Sequence, residues 1–173
     1  MKRSDIKIMP AYFDRYINLV DDSDLIEALE KYGAPFLEKE LANFIRLGDN
    51  VYARGKWTIK DLLQHIIDAE RVFSYRALRF ARNDKTELHG FDEDHYAQNA
   101  NVKGRNVHDL LEEFSALRGA NILMYKSFDK ETLLREGTAS ANKISVLALG
   151  FTMCGHLIHH MSVIKERYYP LLK

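Results

Sequence analysis

The sequence predicts an all-α protein, a four-helix bundle, and three observations carry that reading. Apolar residues recur at helical spacing over long stretches, whereas alternating, strand-like runs are absent. The only prolines are Pro10, Pro35 and Pro170, and the interior holds few turn dipeptides. Polar capping residues followed three positions later by a carboxylate stand ahead of two of the apolar stretches. No repeat, low-complexity tract or linker interrupts the 173 residues, so 1–173 reads as a single domain with a sizeable core.

Residues 1–22 read as a leader packed on the bundle or on a partner chain, with Tyr12, Phe13 and Tyr16 as core or dimer contacts rather than a binding box. Helix one begins near a Ser23 cap, is kinked or briefly broken at Gly33-Ala34-Pro35, and continues to about Leu47. Helix two opens on Thr58 with Asp61 at the capping-box offset and runs to about Arg82. Residues 83–105 form a long loop between helices two and three, with room for one short helix. Asn106 caps helix three, and Lys130 to Leu134 make a further turn. Gly137 to Asn142 read as loop, and helix four runs from a Ser145 cap to Tyr168, with Pro170 as its stop. Short loops let neighbouring helices run up and down.

Composition excludes several functions. Lys+Arg and Asp+Glu both number 25, so there is no basic excess for nucleic acid. The N-terminus carries charges throughout, without the apolar core of a signal peptide. The least polar run, Ile144 to Gly155, is well short of the roughly 20 residues that span a bilayer. Cys154 is the single cysteine, which rules out an internal disulfide, fits a reducing compartment, and reads as a small buried apolar residue. A cytoplasmic protein with neither membrane nor nucleic-acid partner is expected.

Chemistry concentrates in Gly155-His156-Leu157-Ile158-His159-His160. At about 3.6 residues per turn, His156 and His160 stand roughly 40° apart on one helix face. That face runs Val146, Leu149, Met153, His156, His160, Val163, an inward stripe. His159 falls on the smaller and more polar line of Thr152, Gly155, Ser162 and Glu166. Spacing allows either partner for His156, and the stripe favours His160. If helices two and four are neighbours, His65 is the natural third ligand. Three imidazoles without an evident fourth ligand make an open site, the catalytic arrangement, able to activate water or a thiol. Taken singly, each of these histidines is as well explained by a hydrogen bond to a nearby carbonyl or carboxylate.

The stretch Trp57 to Arg71, with His65 inside it, resembles the second-helix signature of the DinB-like superfamily, and Gly155-His156-x-x-His159-His160 followed by Lys165-Glu166-Arg167-Tyr168 resembles its fourth-helix signature. Tyr75 to Arg82 and Glu113-Phe114-x-x-Leu117-Arg118 also match, and the resemblance covers roughly residues 16 to 168. It implies a four-helix bundle with a three-histidine site for a divalent metal ion, zinc or nickel, held by His65, His156 and His160. It also implies homodimers, and either transferases and isomerases that use low-molecular-weight thiols such as bacillithiol or mycothiol, or metal-dependent hydrolases.

Around such a site Asp68, one turn beyond His65, either orients that ligand or serves as a general base, or else is a solvated carboxylate paired with Arg71 or Lys60. Arg76 and Arg79 continue the His65 stripe. Arg76 lies eleven residues on, about 16 Å along the axis, within reach of the anionic end of a thiol cofactor. The commoner role of such arginines is pairing with surface acids. The loop residues His89, Asp92, Glu93, Asp94 and His95 lack the spacing of a calcium loop and read as a solvated loop or lid. Three functions follow: thiol transfer to a small electrophile, hydrolysis by activated water, or a non-catalytic metal-binding bundle. Thiol transfer is preferred by analogy with the resemblance.

Overall fold

The computed structural model describes residues 1–172, and the bundle is built from elements whose ends are written in the sequence. Helix two is α5, Ile59–Ala81. Its capping box is closed in both directions: Asp61 N donates to Thr58 Oγ1 at 3.2 Å, and Thr58 N donates to the Asp61 carboxylate at 2.8 Å. Helix three is α7, Val107–Lys126, with Asn106 Oδ1 accepting from Asp109 N at 2.9 Å. Helix four is α9, Val146–Val163, started by Ser145 Oγ on Ala148 N and prolonged by a wide π turn over Ile164–Tyr168. Pro170 sits inside a last 3-10 turn, Tyr169–Leu171, rather than beyond the end.

Three expectations are corrected. Helix one is three short helices, α2 (Leu25–Lys31), α3 (Ala34–Glu38) and α4 (Leu41–Leu47). Its cap is Asp24, not Ser23, because the Asp24 carboxylate accepts from Ile26 N at 3.0 Å and also holds the Met1 ammonium at 2.7 Å. Residues 136–145 are a β-hairpin where Gly137 to Asn142 read as loop, while the helix start at the Ser145 cap stands as expected. Strands β1 (Glu136–Ala139) and β2 (Asn142–Ser145) pair antiparallel across a two-residue turn, Ser140-Ala141, with both φ angles positive at 50° and 62°. That backbone suits the twist of a hairpin, but without Asn or Gly it leaves no sequence mark. Gly137 admits the hairpin to the bundle, since a Cβ there would fall 2.1 Å from the Phe80 ring. The long loop is tied on as well: Leu88 N donates to Thr138 O, and Ser140 N donates to Leu88 O, both at 2.9 Å. It carries the short helix α6, Glu93–Asn99.

α5 packs against α9 and α7, and α2 to α4 close the fourth side against α7 and α9. Side chains meet in reverse order along α5 and α9: Trp57 O with Tyr168, His65 with His160, Phe73 with His156. The two helices therefore run antiparallel. The leader packs on this chain's own bundle, with helix α1 (Asp14–Ile17) lying on α9 and Phe13, Ile17 and Val20 buried. A Cβ at Gly155 would come within 2.0 Å of the Tyr16 carbonyl oxygen, so this glycine is what allows the crossing. By length and composition one continuous helical stretch, Val146–Leu171, could cross a membrane, a longer span than the apolar run in the sequence suggests. Most of it is buried inside the bundle as the core helix.

The core has two apolar halves. One gathers Phe13, Phe73, Phe80, Tyr125 and Phe151, the other Leu37, Phe44, Ile66, Phe114 and Leu157. Between them lies a buried polar layer. Arg118 donates to both Glu70 oxygens at 2.5 and 2.6 Å and also to the carbonyls of Leu29, Tyr32 and Met153. Asn121 donates to Glu70 at 3.0 Å and accepts from Ser74. His156 stands where the two halves meet along α9, and His65 stands on α5 within the second half, flanked by Leu62, Leu63 and Ile66.

Candidate metal centre

α5 and α9 bring three Nε2 atoms to one point. His65 lies 3.1 Å from His156 and 3.1 Å from His160, and His156 lies 3.0 Å from His160. A ring nitrogen either donates or accepts, so three mutual contacts between the same three nitrogens cannot all be hydrogen bonds. An electron-pair acceptor among them satisfies all three at once. Nitrogens this far apart can each lie about 2.0–2.1 Å from a shared point, the ordinary Zn–N length. His160 Nδ1 is buried without a hydrogen-bond partner among the described residues, so no hydrogen bond at that nitrogen sets the ring's orientation. The donor set fits a divalent ion such as zinc or nickel.

Electrostatics agree. Burial pulls the His65 pKa from 6.5 to about 4. Burial, and then the neighbouring imidazoles, push His156 and His160 well below the ordinary value. All three are therefore neutral at pH 7, with the lone pairs a metal needs. Rings wall the site: Trp57 beside His65 with centroids 5.0 Å apart, Phe73 beside His156 at 5.6 Å, and Tyr16 against His156 and His159 at 5.3 and 5.4 Å. His159 stays outside the triad, half-buried. His65, His156 and His160 are the one group of three or more potential ligands that comes together among the described residues.

Beside the triad opens a cavity of about 280 Å³ reaching His65 and His156. Phe13, Tyr16, Ala69, Phe73 and Arg76 line it from the leader and α5; Gly90, Phe91, Glu93, Ser140 and Asn142 line it from the long loop, α6 and the hairpin. The leader aromatics, expected as core or dimer contacts, thus divide. Phe13 is core and cavity wall together, and Tyr12 and Tyr16 line the opening. Nothing in the sequence placed Tyr16 on His156, because the contact depends on the close crossing at Gly155. The hairpin residues Ser140 and Asn142 were likewise missed.

Other singled-out residues lie elsewhere. Asp68 faces a separate groove with His95 and Tyr96, accepting from Gln64 Nε2 at 3.0 Å with Arg71 3.8 Å away, and burial raises its pKa. It therefore does not share the triad's cavity. Arg79 is drawn to the surface by Asp84 and the Tyr75 hydroxyl. Arg76 turns inward and lines the cavity. His89, His95 and His108 are exposed, and Cys154 is buried, its thiol pushed up to about 12 by that burial.

Comparison with known proteins bears on this arrangement. Among curated proteins no match is found. Among solved structures the chain is similar to YfiT from Bacillus subtilis, described as "a probable metal-dependent hydrolase with an unusual four-helix bundle topology". The TM-score is 0.66 at 17% identity, over 92% of this chain and 87% of that one. That likeness establishes the bundle fold. The model of the DinB superfamily matches residues 13–164, a span that holds the leader helix, the whole bundle and all three converging histidines. With bundle and sequence match agreeing, the chain belongs to the DinB superfamily.

Proposed function

We propose that this protein is a metal-dependent enzyme that presents a low-molecular-weight thiol to a small electrophile. The observation that supports it is the open triad: three neutral imidazoles on a common point, with no fourth protein ligand among the described residues and a cavity alongside. A divalent ion held by His65, His156 and His160 would supply Lewis acidity, lowering the pKa of a nucleophile and drawing charge from the substrate. The chain's own residues do the rest. Burial keeps the imidazoles unprotonated, Phe13 and Phe73 exclude water, and Tyr16 packs edge-on against the His156 ring.

The thiol reading is favoured by what adjoins the triad. The acid among the cavity residues is Glu93, exposed on the rim, and Asp68 opens elsewhere. A nucleophile that loses its proton on binding needs no carboxylate base in reach, which suits a thiol better than water.

One observation favours water as a second reading. His159 stands next to His160, ring centroids 5.1 Å apart, and burial followed by the Arg15 charge lowers its pKa, so it is an unprotonated base at pH 7. YfiT's description as a hydrolase points the same way. The test is a panel of thiols and small electrophiles with zinc-loaded protein. Turnover that requires both metal and thiol, and vanishes in His65→Ala, is expected; thiol-independent ester or amide cleavage that His159→Ala abolishes would select hydrolysis.

A further inference from the structure

Arg76 is only 3% exposed, yet no carboxylate lies within 4.0 Å of it among the described residues. Its Nη2 donates to His89 O and Ser140 Oγ, both at 2.9 Å. Nε and Nη1 make no hydrogen bond among the described residues, and neither is sealed off from open space. A buried cation of this kind is costly unless an anion joins it. Burial pulls the pKa of Arg76 down, with Glu93 and Tyr12 the nearby groups that oppose the shift, and the guanidinium remains charged at neutral pH.

The surroundings are built to hold this group in place. Ser140, which receives Arg76, sits in the positive-φ hairpin turn, and Tyr12 at the mouth has φ 69°, an uncommon backbone for a residue with a side chain. Asn142, the next hairpin residue to line the cavity, donates from Nδ2 to Ser140 O at 2.7 Å. Phe13, Phe73 and Phe91 make the walls apolar.

We propose that Arg76 anchors the carboxylate of a small substrate or thiol cofactor whose other end reaches the three imidazoles. The anchoring rests on this cavity alone, and the reacting end rests on the function proposed above. Charge selects the carboxylate: one guanidinium balances one negative charge, and Glu93 on the rim repels a second, so a phosphate dianion fits poorly. The planar fork of an arginine also matches a carboxylate in two parallel hydrogen bonds. The α5 spacing sets the reach, because the Cα atoms of His65 and Arg76 are about 16 Å apart along the axis and arginine leans back toward the helix N-terminus. A cavity of about 280 Å³ limits the ligand to a small molecule.

Calorimetric titration tests this with matched probes. Zinc-loaded protein takes 6-mercaptohexanoate or 6-mercaptohexanol; metal-free protein takes hexanoate, hexanol or hexylphosphonate. Each acid is expected to bind about tenfold tighter than its alcohol, a preference lost in Arg76→Met and partly kept in Arg76→Lys. Equal affinity for acid and alcohol in the unaltered protein overturns the proposal, as does a preference that survives Arg76→Met. Tighter binding of hexylphosphonate than of hexanoate overturns the carboxylate assignment. The metal-free arm separates the two readings: a carboxylate preference there stands even if the zinc-loaded protein gains nothing from the thiol.

Discussion

His160 illustrates what single residues decide. Its Nε2 meets two other imidazoles while its Nδ1 is buried without a hydrogen-bond partner among the described residues, an arrangement that hydrogen bonds do not account for and a shared ion would. Elemental analysis of protein purified with zinc is therefore expected to find about one ion per chain. Background levels are expected in His65→Ala and His160→Ala, whereas His159→Ala, changed one position away on the same helix, keeps its zinc. Gly155 acts at the same scale through the absence of a side chain. A methyl there meets the Tyr16 backbone, which cannot swing aside as a flexible side chain would. Gly155→Ala is expected to lower the unfolding free energy by about 1–3 kcal/mol in urea titrations, despite the better helix propensity of alanine.

At the scale of elements, α5 carries two devices at different depths. The capping box at Thr58 and Asp61 fixes where the helix starts, and with it the rotation that points His65 inward two turns later. Thr58→Ala should cost about 1 kcal/mol of stability, measured by thermal or chemical unfolding, with zinc content unchanged because the α5–α9 packing still holds His65. Farther along, Arg76 and Arg79 lie three residues apart and have opposite fates. Asp84 and Tyr75 take Arg79 to the surface, and the hairpin gives Arg76 partners inside. Both arginines were equally visible in the sequence. The side chains that separate them come from a turn whose residues carry no hairpin signature.

The whole molecule depends on a polar level crossing its core. Arg118 ties Glu70 of α5 to the C-terminal end of α2 and to the α9 backbone at Met153, three residues before His156. Arg118→Met leaves Glu70 buried without its charge partner, and a loss of about 3–5 kcal/mol is expected in denaturant unfolding. Acid acts through the triad. The unfolded imidazoles titrate near 6.5, whereas folded His65 titrates at about 4, so the unfolded chain takes up protons first as pH falls. Stability of the metal-free protein is accordingly full above pH 6.5 and declines from there towards pH 4, by up to about 1.4 kcal/mol per pH unit for each such imidazole. Denaturant curves with chelator at neutral and mildly acid pH check the sign, and His65→Ala should flatten the slope. Because bound metal stabilises only the folded state, chelation at neutral pH should lower the melting temperature.

Helix type, three of the caps and the His156–His160 pair were legible in the sequence, since each is a local property: a 3.6-residue period, a side chain reaching its own backbone, two imidazoles one turn apart. Even the choice of His160 over His159 followed from which helical stripe was apolar. Tertiary structure alone decided the rest. That α5 lies beside α9, that the leader crosses at Gly155, and that the hairpin receives Arg76 but not Arg79 are contacts between residues far apart in the chain. Asp68 is the plainest case: its distance from His65 was known in advance, but the direction it faces depends on the neighbours that fill the space around α5.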